Sequence, residues 1–273
     1  MTNAASPPPW GSFALHGWRA FWLRALHRLP AGNAWRRIAL WLRSPLKRLL
    51  SDTVDAEIWQ LKLRLRTQGN LSEQRLLLMP QYLDFTERQT LAAELNPGSC
   101  FLDIGANIGV YSLWVAATCG SQVRIEAFEP DAELCERLHF NLATNRLQQV
   151  RLNSLALGDH EGEVRLISGD GNKGENRVSA TGAGAVVPMT TLPTFLARSG
   201  IARIDALKID VEGHETEVLS PLFQQSPRSL WPRLLICEVT HDDEQRLAQL
   251  LAANGYSLSA QGRLNGIYRL AAA

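Results

Sequence analysis

Apolar positions in the 273-residue chain repeat with two periods, and the change from one to the other divides it. From Gly17 to about Leu49 the spacing is helical. Trp18, Phe21, Trp22, Ala25 and Leu29 share one face, with Leu26 at its edge. Pro30 and Gly32 interrupt that pattern, and Trp35, Ile38 and Leu42 restart it. Two short amphipathic helices are predicted. A polar, helix-forming stretch then runs to about Asn96, where Pro97-Gly98 reads as a turn. From Cys100 onward short apolar runs alternate with helical patterns. Strands are predicted near 100–104, 123–128, 149–157, 205–210, 233–239, 254–259 and 266–270. Helices are predicted near 108–119, 131–144, 191–199, 214–224 and 242–253. Such alternation predicts an α/β fold: a mainly parallel sheet with helices on both faces, preceded by a helical extension. The organisation read is a basic amphipathic extension (1–51), a helical lead-in (52–99) and one α/β domain (100–273).

Charge sharpens this division. Residues 1–51 carry eight arginines and lysines and no acid, which leaves the remainder at −7 against a total of +1. Such a segment suits an anionic partner. It has too few uninterrupted apolar residues to span a bilayer or to serve as a secretory signal. Two readings stay open: a cap packed on the protein's own domain, or peripheral docking at the inner face of the membrane with aromatic rings in the interface and arginines at the headgroups. Cys100, Cys119, Cys135 and Cys237 lack C-x-x-C spacing, which indicates reduced thiols and a cytoplasmic location rather than zinc or disulfides.

Candidate chemistry sits where strands end. "FLDIGANIGVYS" (101–112) is a strand, a glycine turn and a helix start. A dinucleotide fingerprint has glycine where Asn107 stands, and Asp103 would repel a pyrophosphate. A ligand with a cationic amino-acid part and no phosphate fits better, and S-adenosylmethionine is such a ligand. "VRIEAFEP" (123–130) ends in Glu129, an acid placed to accept from both hydroxyls of a ribose. Either acid alone could simply cap the following helix.

Four motifs in order, "FLDIGANIGVYS", "AFEPDAELCERLHFNLATN", "NSLALGDHEGEV" and "LKIDVEGHETEVL", closely resemble the FkbM-type family of S-adenosylmethionine-dependent methyltransferases over roughly residues 70–270. The resemblance implies a Rossmann-like class I methyltransferase fold, a seven-stranded sheet with its last strand antiparallel, and methylation of hydroxyls on sugars, glycolipids or secondary metabolites. Carried over motif by motif, it puts Asp103, Gly105, Asn107 and Gly109 at the methionine end of the cofactor and Glu129 on the ribose. Leu157 would lie over the adenine and Asp159 at its amino group.

The strand-four motif carries the proton chemistry. Asp210, Glu212 and His214 follow one another past the end of an apolar strand, as candidates for positioning and deprotonating an acceptor hydroxyl. Glu238 leaves the apolar run "LLICEVTH" (234–241) at a neighbouring strand end. With Asp210 and Glu212 it could hold a divalent metal such as Mg²⁺, but metal-free base catalysis is the preferred reading. The polar stretch 168–187 reads either as a lid, with Asn172, Lys173, Asn176 and Arg177 touching the acceptor, or as a connector. The acceptor is read as a small molecule or glycan. Two alternatives, a nucleic-acid methyltransferase and a catalytically silent binding module, are set behind it. The former lacks the usual base-methylase motifs, and the full set of strand-end acids argues against the latter.

Overall fold

The computed structural model describes residues 7–167, 177–179, 184–239, 244–262 and 264–271. The chain divides into two compact units, residues 1–83 with 140–146, and residues 84–139 with 147–273.

The first unit contains α1 (Gly17–His27), α2 (Asn33–Leu49), β1 (Thr53–Ile58), β2 (Leu61–Arg66) and α3 (Leu71–Leu78). The two strands correct the expectation of a helical lead-in over 52–99. They pair antiparallel from Thr53↔Arg66 to Ile58↔Leu61. Leu61, Leu63 and Leu65 alternate with the exposed Lys62 and Arg66, as a half-buried strand requires. Trp59 and Gln60 both take positive φ, at 54° and 66°, the backbone of a two-residue hairpin turn. The leucines, lysine and arginines of β2 are good helix formers, but period-two burial overrides that propensity here. Buried Asp55 ties the unit together. It accepts from the Gly11 and Phe13 amides and pairs with Arg64 at 2.8 Å.

Both N-terminal helices form where the spacing places them, yet they bury a different face. Leu23 and Leu26 of α1 and Ala39 and Leu46 of α2 are inside. Trp18, Phe21, Trp35, Ile38 and Trp41 are exposed, Phe21 at 69% and Trp41 at 77%. Each helix therefore has two apolar faces, one packed and one open.

The second unit holds α4 (Phe85–Glu94), β3 (Cys100–Ile104), α5 (Val110–Thr118), β4 (Arg124–Phe128), the start of α6 (Ala132–Asn145), β5 (Val150–Asn153), β6 (Ala156–Gly158), β7 (Gly162–Ile167), β8 (Arg177–Ser179), β9 (Ala185–Thr191), α7 (Leu192–Ser199), β10 (Ala206–Ile209), α8 (Glu215–Gln225), β11 (Leu234–Glu238), α9 (Glu244–Ala253), β12 (Tyr256–Gln261) and β13 (Asn265–Leu270). Seven of these strands form one sheet in the order β12-β13-β11-β10-β3-β4-β5, in which β13 runs antiparallel to both neighbours. The order reverses between β3 and β10, where an open parallel sheet leaves a crevice at its strand ends. Leu102, Ile104, Leu207, Ile209, Leu235 and Cys237 are among the buried side chains that fill one face of its core.

The strand predicted over 149–157 is two strands, β5 and β6, and the second belongs to a separate sheet of order β6-β9-β7-β8. In β7, Val164 and Leu166 alternate inward with period two. β9 contains Pro188, a residue that argues against a strand until a partner leaves its missing N–H unneeded. Residues 177–179 and 185–187 of the expected loop are thus strand. Asn172, Lys173 and Asn176 lie outside the described residues.

Candidate active site

The site grows from the turn after β3. Gly105, Asn107 and Gly109 all have positive φ. A Cβ on Gly105 would stand 1.8 Å from the Asp210 carbonyl oxygen, so the turn packs against the end of β10 only with glycine there. The Asn107 amide donates to Glu129 Oε2 at 2.8 Å, and the Ile108 amide donates to Asn107's own Oδ1 at 2.8 Å. In a dinucleotide fold such amides face a pyrophosphate. Here the protein's own acceptors occupy them.

Glu129 follows β4 almost fully buried, and its Oε1 accepts the Asp131 amide at 2.9 Å. Burial pushes its carboxyl up to about 7 despite these two amides. Each carboxylate oxygen keeps a further lone pair, and the residue lines a cleft with Gly105, Asn107, Leu157, Asp210 and Glu212. Phe128, Leu134, Leu155 and Val211 supply apolar walls that the motif reading did not name. They come from strand ends and from the α6 face, where an apolar side chain reads as core in the sequence.

At the other end of the cleft Asp210 follows β10. Its Oδ2 lies 3.2 Å from the Lys208 ammonium, which also donates to the Gly105 carbonyl at 3.1 Å. Burial opposes charge on both, but Lys208 holds Asp210 below the usual carboxylate range, and Asp210 with Asp103 holds Lys208 above its ordinary value. Glu238 is pushed up to about 9, by burial first and then by the neighbouring Asp210 charge, and it shares a hydrogen bond with Asp210. Ligand atoms of Asp210, Glu212 and Glu238 lie within 4.8 Å of one another. Glu212 has a positive φ of 55°, which turns the chain away from the strand toward Gly213 and α8. Below that turn buried Glu215 accepts the Val211 amide at 2.8 Å.

Five of the residues singled out in the sequence do not line the cleft, among them Glu238, which meets it only through its hydrogen bond with Asp210. Asp103 is buried, its Oδ2 accepting the Ser112 amide and hydroxyl at 2.9 and 2.6 Å, so it anchors α5 and faces Lys208. Gly109 packs against Leu138, where a Cβ would meet Cδ1 at 2.5 Å. Asp159 is exposed and pairs with His160 at 2.6 Å. His214 occupies the N-cap position of α8 without a side-chain cap bond. Lys208, which strand alternation puts on the same face as Asp210 two residues on, is the cation that organises this end.

The sheet order, the turn whose amides are filled by the protein's own acceptors, the buried acid after β4 and the acidic end of the cleft are those of a class I S-adenosylmethionine-dependent methyltransferase. The methyltransferase FkbM domain profile matches residues 103–258, and the chain belongs to that family. It is 29% identical over 216 residues to the 31-O-demethyl-FK506 methyltransferase FkbM of Streptomyces tacrolimicus, covering 65% of this chain and 80% of the relative. It is 31% identical over 133 residues to the hexuronic acid methyltransferase AglP of Haloferax volcanii, covering 47% of this chain and 52% of the relative. Among solved structures, the methyltransferase FkbM of Methylobacillus flagellatus aligns over 91% of this chain and 58% of its own length, at 12% identity and a TM-score of 0.47.

Proposed function

We propose that this enzyme transfers the methyl group of S-adenosylmethionine to a hydroxyl of a small molecule or glycan, of the sugar, glycolipid or secondary-metabolite class. The observation that carries this reading is one cleft lined by Glu129 and by Asp210 and Glu212, in which Asp210 is paired with Lys208 and hydrogen-bonded with Glu238. The donor set fits the cofactor. Apolar side chains suit an adenine, buried carboxylate oxygens suit a ribose diol, and carboxylates suit an ammonium and a sulfonium. S-adenosylmethionine supplies the electrophilic methyl group when bound. The protein must position the hydroxyl in line and take its proton.

Asp210 performs both tasks in this reading. Its charge is fixed by Lys208, so it accepts a hydrogen bond from the acceptor hydroxyl, and Glu238 beside it sets how strongly the pair attracts the proton. Glu212, which also lines the cleft, is the second candidate, and His214, at the N-cap of α8, stands behind both. Metal-free base catalysis stays ahead of a divalent ion held by Asp210, Glu212 and Glu238. The 31-O-demethyl-FK506 methyltransferase's name supports an oxygen acceptor, and the hexuronic acid methyltransferase's name supports a sugar-type acceptor. The enzyme is placed in the cytoplasm and peripherally at the inner face of the membrane through residues 1–50, a reading supported by the open aromatic faces of α1 and α2.

Incubation of the purified protein with labelled S-adenosylmethionine and a fractionated host extract, followed by mass identification of the labelled product, tests the acceptor. A labelled glycan, lipid-linked sugar or small metabolite is the expected outcome. Label in RNA would overturn it.

A further inference from the structure

Within the first unit, α2, the residues after β2 and α3 line an open depression of about 750 Å³ that the methyl-transfer reading leaves without a role. Its walls carry Arg43, Lys47, Arg48 and Arg75, and Ser44, Thr67, Gln68 and Gln74 supply neutral donors. Among the described residues none of the four cations has an ion-pair partner. The carboxylate at the edge, Asp52, is engaged by the Gln68 amide at 2.9 Å. Arg43 and Arg75 are half-buried, whereas Lys47 and Arg48 are exposed at the opening. Burial lowers the Arg43 guanidinium from its ordinary value, and the charges of Arg75 and Arg36 lower it further. Like charges are thus gathered in a concave place without compensation, a cost that a bound anion would remove. The first amides of α3 are not the source of attraction, because the Asn70 side chain already accepts from Ser72 and Glu73.

The depression adjoins the open apolar face of α2. Trp41, Ser44 and Arg48 follow at i, i+3 and i+7, so the most exposed tryptophan and two lining residues form one row along the helix. Trp35 and Ile38 continue the apolar side, and exposed Leu71 stands in the depression's wall. Soluble inorganic phosphate would need no such apolar border. Single-stranded nucleic acid would use aromatic rings, but not the aliphatic Ile38, Leu49 and Leu71. A bilayer surface presents phosphate at the depth where tryptophan and aliphatic side chains enter the interface.

We propose that this depression is a binding site for the phosphate headgroup of an anionic phospholipid, seated while the exposed faces of α1 and α2 enter the interface. This rests on the peripheral membrane reading given above. Arg43 and Arg75 contact the phosphate from the floor, and Lys47 and Arg48 close around it at the rim.

The test measures full-length protein binding to phosphatidylcholine vesicles with and without phosphatidylglycerol, at physiological ionic strength, where screening acts over about 8 Å. Wild type binds the phosphatidylglycerol vesicles. The Arg43→Gln, Arg75→Gln pair lowers that affinity about 100-fold or more, the scale of two lost charge-assisted hydrogen bonds. A charge-matched exposed pair, Arg24→Gln with Arg37→Gln, lowers it by no more than about 30-fold, the scale of two surface charges at about 1 kcal/mol each. If the recessed pair disturbs folding, the rim pair Lys47→Gln, Arg48→Gln, which removes the same charge as the exposed pair, gives the same readout. Equal losses for the recessed and exposed pairs overturn the headgroup site while sparing peripheral attachment. No binding of wild type to either vesicle overturns both. Tight binding of inorganic phosphate without vesicle capture, or stronger retention on polyuridylate than on vesicles, overturns the lipid assignment.

Discussion

Glu129 holds two backbone amides and is still pushed up to about 7, so its charge is sensitive near neutrality. A ribose diol donates to the ionised form, so affinity for S-adenosylhomocysteine should fall as pH drops through about 7, while Glu129→Gln should flatten that profile. Glu129→Ala should weaken binding about 10–100-fold, the scale of one hydrogen bond to a charged group at about 1.5–3 kcal/mol; calorimetry from pH 6 to 8 reads both. The stability sign is opposite. Because the folded pKa lies above the ordinary 4.5, the folded protein binds the extra proton between them, and this group's contribution declines as pH rises from about 4.5 to 7. At the other end of the cleft, Asp210→Asn should cut turnover at least about 100-fold with cofactor affinity nearly kept, since it acts on the acceptor proton. Glu238 is neutral at pH 7 and ionises near 9. The rate should therefore climb toward pH 9 as the pair gains basicity, and Glu238→Gln should keep the neutral rate but lose the climb. A pH profile unchanged by that substitution would remove Glu238 from the proton chemistry. That residues 105, 107, 129 and 210 line one cleft was legible because strand ends followed by glycine or proline mark where an α/β sheet exposes side chains. Asp103 was legible as special but misread: its carboxylate turns under α5 to Ser112, and no spacing distinguishes a buried helix anchor from a ligand contact.

At the scale of elements, the sheet strands from Cys100 onward follow apolar runs that have no other use in a parallel sheet, and this is why they were readable. The β1–β2 hairpin was not. Its residues favour a helix individually, and the period-two pattern becomes decisive only when Leu61, Leu63 and Leu65 have a core to face. The N-terminal helices show a third case. The wide stripe of tryptophan and phenylalanine dominates the pattern, but the buried positions are the less conspicuous Leu23, Leu26, Ala39 and Leu46. Substitution should separate the two faces. Leu26→Ala or Leu46→Ala should lower stability by about 2–5 kcal/mol, because each leaves a cavity. Phe21→Ala with Trp41→Ala should change stability by less than about 1 kcal/mol, as exposed positions do. Chemical denaturation of the two sets measures this directly. Equal destabilisation by both would mean that the aromatic face is packed and that the cap reading accounts for the whole segment.

The whole molecule adds a constraint that neither scale carries. Every residue lining the cofactor cleft belongs to the second unit, and every residue lining the cationic depression belongs to the first. The charge split runs the same way, with +8 in residues 1–51 and −7 in the remainder. Ligand linkage acts on the part that binds. S-adenosylhomocysteine at about 100 times its Kd should stabilise the folded cleft by about 2.7 kcal/mol. For a unit of this size that is a rise of roughly 5–10 °C in Tm. Scanning calorimetry should therefore resolve a transition that the ligand raises and another that it leaves in place, the latter moved instead by Leu26→Ala. α6 is the element on which this separation depends, since residues through His139 belong to one unit and Phe140–Arg146 to the other. In the first unit, Asn141 and Asn145 receive the Arg64 and Lys62 amides at 2.7 and 2.8 Å. If those bonds and the helix hold the two units in one cooperative transition, S-adenosylhomocysteine will raise a single peak and Leu26→Ala will lower the same one. That result would make α6 the coupling element, and Asn141→Ala should then split the peak in two.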